Sequence, residues 1–276
     1  MELEARVAQS YDHRSLEQTI LAALAAAGKD PDNLTPADLA PVDEFHFGGR
    51  EATVDLAQRM GATSQMRLLD IGAGLGGASR YFASEHGCDV TGVDLTEAYV
   101  RAAEALAERV GLAGKVRYRH GSALRLPFAD AAFDGAYMMH VGMNIADKAA
   151  AFGEFRRVLA PGAVLGIYDV MREGPGDLSF PLPWSSEPAT SFVESAETYR
   201  DLLQSAGFEV SAPLSRRDFA IHFFERVGAA AARAGGPPPL GLHILMGATT
   251  REKVANSLDL LRRGLIAPTV LIARAV

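Results

Sequence analysis

A doubly wound α/β fold on a mostly parallel sheet follows from three features of the sequence. From position 67 onward short apolar runs alternate with amphipathic stretches of helical period. Directly after the first run stands the glycine-dense turn Gly72-Ala73-Gly74-Leu75-Gly76-Gly77. At the end of the second run stands an acid, Asp94. Strands joined through helices form right-handed parallel βαβ units, and such units stack into an open sheet with helices on both faces.

The elements can be justified in order. Leu16, Ile20, Leu21 and Leu24 recur at helical spacing, and Gly28 stops that helix. A further helix is expected to start near Thr35-Pro36. Residues 1–49 therefore read as an N-terminal helical cap, and residues 50–276 as the α/β domain. Within it, 50–60 is helical, 67–71 a buried strand, 75–86 a helix and 89–94 the second strand. Thr96 is a good N-cap, Tyr99, Ala103, Leu106 and Val110 share one helix face, and Gly111 ends it. Strands follow at 116–120 and 133–139. Asp147 caps a helix carrying Phe152, Phe155 and Leu159, which Pro161-Gly162 stops before a strand at 163–170. Residues 172–196, with Pro175, Pro181, Pro183, Trp184 and Pro188, break the rhythm as an insertion after strand five. A helix at 196–206, a strand at 208–214, helices at 218–234 and 250–264, and a strand at 268–275 complete seven strands. An insertion that long starts at the carboxyl edge of the sheet, where ligands bind in open α/β folds.

Composition narrows the function. With 276 residues, 48% hydrophobic and 22% charged, the chain can build a core without disulfides or metals. The formal net charge is −7, and the basic pairs Arg156-Arg157, Arg216-Arg217 and Arg262-Arg263 are too small for a phosphate-binding surface, so no nucleic-acid partner is expected. Cys88 is the single cysteine, and no Cys/His spacing matches a metal site, so no metal is expected. The first thirty residues carry too many charges for a signal peptide, and the apolar run 20–27 is too short to cross a bilayer. A cytoplasmic protein without membrane contact is expected; a homodimer is left open.

The glycine loop is the central chemical signal. Glycines permit a tight turn and let a ligand approach bare backbone, and the following helix offers free N–H groups to an anion. Gly72, Gly74 and Gly77 also satisfy Gly-x-Gly-x-x-Gly, and Asp94, 22 residues after Gly72, can accept from both ribose hydroxyls. These features point to adenosine and leave open a nicotinamide-dependent oxidoreductase. A packing turn in another α/β protein, with Asp94 a surface residue, is the bland alternative.

Companion motifs tip the choice. Asp70 precedes the glycine loop, Gly121-Ser122-Ala123-Leu124-x-Leu126-Pro127-Phe128 follows the third strand, Phe133-Asp134 opens the fourth, and Arg157-Val158-Leu159-x-Pro161-Gly162 precedes the fifth. In that order they resemble the class I S-adenosylmethionine-dependent methyltransferases, with their Rossmann-like seven-stranded sheet. The run Asp43-Glu44-Phe45-His46-Phe47-Gly48-Gly49-Arg50-Glu51-Ala52-Thr53, then Arg80-Tyr81, His140-x-x-Met143-Asn144-Ile145-x-Asp147-Lys148 and Pro181-x-Pro183-Trp184, is similar to the sarcosine/dimethylglycine N-methyltransferase-like branch, related to tocopherol and ubiquinone methyltransferases. The likeness covers roughly residues 10–210, and residues 215–276 match no specific motif of that branch.

The resemblance implies a methyl donor, S-adenosylmethionine, held by Gly72, Ala73 and Gly74 at its methionine part, by Asp94 and Leu95 at the ribose, and by Ser122 and Ala123 at the adenine. The family usually has an acid at position 122; a serine hydroxyl bonds the adenine amine more weakly, so affinity suffers unless another residue compensates. Tyr11 is expected to fold over the cofactor or to pack on a helix. His140 would face the gap between cofactor and acceptor, as a base or a positioning group, or else is a histidine hydrogen-bonded under the sheet edge. His46, Met143, Asn144 and Trp184 are expected to line the acceptor pocket, Trp184 through its aromatic face or as an apolar plug. Apolar residues over 218–246 fit a pocket cover, a dimer surface or plain core. The acceptor is expected to be small. The branch favours an amine nitrogen; an oxygen or carbon acceptor in a natural product or quinol, and a non-catalytic cofactor-binding protein, are the alternatives.

Overall fold

The computed structural model describes residues 2–10 and 16–276; Tyr11 lies outside them. Four helices lead: α1 (Glu2–Ser10), α2 (Leu16–Ala26), α3 (Pro36–Asp43) and α4 (Gly49–Met60). The alternating part then runs β1 (Arg67–Ile71), α5 (Gly77–His86), β2 (Asp89–Asp94), α6 (Glu97–Arg109), β3 (Val116–His120), β4 (Phe133–Met139), α7 (Lys148–Val158) and β5 (Leu159–Arg172). After the insertion come α8 (Ala196–Ser205), β6 (Phe208–Val210), β7 (Leu214–Ser215), α9 (Arg217–Arg233), α10 (His243–Met246), α11 (Thr250–Arg262) and β8 (Ile266–Ala275). The sheet order is β3-β2-β1-β4-β5-β8-β6, with β7 also on β8. The first five strands are parallel, and β8 runs antiparallel to β5 from Val164↔Arg274 to Arg172↔Ile266. The order reverses between β1 and β4, which opens a crevice above their carboxyl ends.

Strand alternation sends neighbouring residues to opposite faces. Leu69, Ile71, Met138, Leu165 and Ile167 pack with Phe152 and Phe155 of α7 and Leu203 of α8. Leu68, Tyr137, Val164 and Tyr168 pack on the other face with Leu56, Phe82 and Ala103 of α4, α5 and α6. A third cluster joins Leu16, Ile20, Leu24 and Leu39 of the N-terminal helices to Tyr99 and Leu106 of α6 and to Leu240 and Leu245. The stripe at 240–245 is thus core that fixes the cap, while Phe219, Phe223 and Phe224 of α9 press on residues 47–49.

Two boundaries differ from expectation. Helix α7 ends at Val158 and β5 begins at once: Leu159 pairs with Phe133, and the register then shifts past Pro161-Gly162 before Val164 pairs with Gly135. A proline lacking N–H and a glycine at φ 78° bulge from the strand rather than precede it. The strand expected at 208–214 is split into β6 and β7 around Pro213, which makes eight strands from seven expected. The insertion is packed rather than open: Leu182 and Trp184 are buried with Phe47, Met143, Val170, Leu260 and Leu261. Among the described residues no helix is long and apolar enough to cross a membrane.

Candidate active site

The ends of β1, β2, β3 and β4 and the segment after α3 converge above the switch point. Asp70, on β1, is buried and accepts from Ser79 Oγ at 2.6 Å, tying the strand to α5; burial pushes its carboxyl up to about 7. The amides of Gly72 and Ala73 both donate to Val93 O, which anchors the turn to β2. Gly72 is required twice over: its φ is 76°, and a Cβ would meet Val141 Cγ2 at 2.3 Å. Gly74 differs, because at φ 54° a Cβ there would meet nothing within 4 Å. Bare backbone at Gly74 therefore borders open space, which is what the close approach of a ligand needs.

Asp94 ends β2 with Oδ2 accepting from Gly74 N and Oδ1 from Thr96 N, each at 2.8 Å. Burial pushes its carboxyl up, and those two N–H bonds pull it back. Leu95 beside it is partly exposed, its carbonyl 3.0 Å from His120 Nε2. Asp94 pairs in register with His120, so Ser122 and Ala123 stand just beyond the same edge, one strand further out. Ser122 Oγ accepts from Leu124 N at 3.0 Å and donates to Glu4 of α1. The expected cofactor residues thus lie in a row over β1, β2 and β3.

His140 follows β4 with a left-handed backbone, φ 55°, and its N–H donates to Tyr168 O at 2.8 Å. Its ring stacks on Tyr168 at 5.2 Å, meets Phe47 edge-on at 4.9 Å and lies 5.9 Å from the ring of His46. Burial, and then His46, hold the imidazole well below its usual range, so it stays neutral. His46 is set by a buried network: its Nε2 is 3.0 Å from Glu44 Oε2, which Thr53 Oγ1 also reaches at 2.6 Å, and Arg50 Nη1 is 3.5 Å from Oε1. Burial opposes charge on Glu44, but His46, Thr53 and Arg50 outweigh it and hold the carboxyl below its usual range. An ionised carboxylate only accepts, which puts the His46 proton on Nε2. His46 Nδ1 and His140 Nε2 are buried and have no hydrogen-bond partner among the described residues.

The remaining candidates sit behind this wall. Met143 is buried in the apolar cluster of the insertion. Asn144 Nδ2 donates to Trp184 O at 2.8 Å and Thr190 O at 3.3 Å, and Lys148 Nζ donates to Ile145 O at 2.8 Å and to Phe192 O. Trp184 is buried, its Nε1 donating to Ser191 Oγ at 2.9 Å and its ring 6.3 Å from Phe47. Among the described residues no group of three or more His, Cys, Asp or Glu is placed to hold a metal.

Glu44, Thr53, Asp43 and Arg80 stand in the sequence motifs, but nothing in the sequence gives them a role at the site. Arg80 Nη2 bonds Asp43 Oδ2 at 2.6 Å with both side chains buried, locking the segment that carries His46 to the helix that follows the glycine loop. The Glu44-x-His46 spacing was a faint signal; a partner nine residues on, Thr53, left none.

A methyltransferase-domain family model matches residues 69–167, the stretch from β1 into β5. The chain belongs to the class I S-adenosylmethionine-dependent methyltransferases, and S-adenosylmethionine is its methyl donor. It is similar to the O-methyltransferase cnsE of Penicillium expansum, 32% identical over 214 residues that make up 68% of this chain and 78% of that protein. It also resembles an O-methyltransferase of Pyrenophora dematioidea, 28% identical over 74% of this chain and 75% of the relative. The fold is shared with a putative sarcosine dimethylglycine methyltransferase from Galdieria sulphuraria, at a TM-score of 0.66 and 23% identity over 81% of this chain and 84% of that one. The chain is therefore an enzyme that methylates small molecules, and the nicotinamide reading of the glycine spacing falls away.

Proposed function

We propose that the protein methylates a hydroxyl oxygen of a small organic acceptor, with His46 taking the proton and His140 holding the oxygen. One observation carries this reading: two buried imidazoles, close to the glycine loop through Val141, present nitrogens without partners among the described residues, and one of them is backed by a buried carboxylate. S-adenosylmethionine supplies a methyl group on a sulfonium, a strong electrophile that needs only an aligned lone pair. A neutral amine offers that lone pair unaided, whereas a hydroxyl must lose its proton as the oxygen–carbon bond forms. Glu44 stabilises the imidazolium that His46 becomes, and holds its tautomer. Neutral His140 is suited to orient the acceptor rather than to store a proton. Alignment and exclusion of water supply much of the remaining acceleration.

Gly72, Ala73 and Gly74 are assigned to the methionine part of the donor, Asp94 and Leu95 to the ribose, and Ser122 and Ala123 to the adenine. Met143, Asn144 and Trp184 support the acceptor wall from behind. The relatives named as O-methyltransferases agree with an oxygen acceptor; the likeness to the sarcosine branch keeps an amine as the competing outcome. A panel of phenols, aliphatic alcohols and secondary amines, assayed with methyl-labelled donor, separates them. Transfer to hydroxyls with a rate that rises with pH is expected. Transfer confined to amines, and unaffected by His46→Asn, contradicts the proposal.

A further inference from the structure

The adenine end of the row has a residue that neither the family pattern nor the motifs supply. Ser122 stands where an acid is usual, yet a carboxylate is present: Glu4, from α1, accepts the Ser122 hydroxyl proton. Helix α1 lies across the sheet edge. Val7 is buried, Arg6 pairs with Glu187 of the insertion, and Glu4 reaches the turn after β3, so one short helix spans from the insertion to the outer strand. The order of the row fixes what comes there. With the amino-acid part over β1 and the ribose on Asp94 at the end of β2, the purine extends outward over β3, since adjacent strands are only about 4.8 Å apart.

We propose that Glu4 is the purine-specifying residue of this enzyme, its carboxylate accepting from the 6-amino group of the adenine while Ser122 orients it. A carboxylate has about four acceptor sites on two oxygens, enough for the Ser122 hydroxyl, a further contact and the amine together. A charge-assisted bond is roughly twice as strong as one to a neutral hydroxyl, which offsets the weakness of serine at this position. The chain has moved the acid from the strand edge to the cap, and donor binding is thereby coupled to the docking of α1. This inference rests on the adenine assignment made above.

Two probes test it by calorimetry: S-adenosylhomocysteine and its inosine counterpart, in which a ring carbonyl replaces the amine. The wild-type protein should prefer the adenosine form by roughly tenfold or more. Glu4→Ala should abolish that preference, and adding Ser122→Asp to Glu4→Ala should restore it. Arg6→Ala loosens the same helix but keeps the Glu4 carboxylate, so both probes should bind more weakly while the adenosine form stays preferred. A Glu4→Ala protein that still discriminates as the wild type does overturns the inference alone. A wild-type protein that binds neither probe overturns the adenine assignment and the inference with it.

Discussion

Over β1, β2 and β3 the site is assembled from backbone and from residues close in sequence: the glycine turn, Asp94 and the turn after β3 all fall within about one βαβαβ unit. Beyond β4 it is assembled from side chains that meet only in space. His46 comes from the segment after α3, Thr53 from α4, His140 from the turn after β4, Trp184 from the insertion and Phe224 from α9. The first region, to which we assign the donor common to the whole family, needs a fixed frame. The second, to which we assign the acceptor, draws its parts from segments that can vary independently of the sheet. A substitution should therefore damage one region while leaving the other intact, except where a residue bridges both.

Arg80 is such a bridge, and the largest effect is expected there. Arg80→Met strands the buried Asp43 carboxylate, and loss of one partner of a buried pair costs about 3–5 kcal/mol. Denaturant midpoints should fall accordingly, and both donor affinity and turnover should suffer. Asp94→Ala acts on the first region alone. It removes the carboxylate assigned to the ribose and frees the Gly74 and Thr96 amides, so S-adenosylhomocysteine affinity should fall about a hundredfold and stability by about 1–3 kcal/mol. Asn144→Ala acts on the second. It releases the Trp184 and Thr190 carbonyls, costs about 1–3 kcal/mol of stability, and should raise acceptor KM without moving donor affinity.

Stability also depends on pH, through groups that lie in both regions. Burial raises the carboxyls of Asp70 on β1 and of Asp169 on β5, which accepts from the Tyr199 hydroxyl at 2.7 Å, to about 7, against about 3.9 in an unfolded chain. Between those values the folded protein holds protons that the unfolded chain has released. Their contribution is therefore full below the unfolded value and is lost as pH rises through about 7. Thermal midpoints should drop by several degrees over that window, and Asp70→Asn should flatten the slope. A midpoint that rises there contradicts the assignment.

The same contrast explains what was legible in the sequence. Glycine spacing, Asp94 and the strand–helix rhythm are local patterns with a direct backbone meaning, and the sheet follows from them. The Pro161-Gly162 bulge was read as a stop because a proline–glycine pair punctuates helices more often than it bulges from a strand. Leu240 and Leu245 carried no sign that they pack on α2, α3 and α6, since apolar periodicity names a buried face but not its partner. His46 was visible as a candidate, whereas Glu44 and Thr53 become its partners only when α4 folds back over the segment before it.

The separation of the two regions is tested most directly by His46→Asn, with S-adenosylhomocysteine affinity measured by calorimetry and methyl transfer measured on the best hydroxyl acceptor. Donor affinity should stay within about twofold of the wild type while kcat falls about a hundredfold or more and its dependence on the imidazole disappears from the pH profile. An unchanged kcat, or a loss of donor affinity as large as the loss of turnover, would contradict the account.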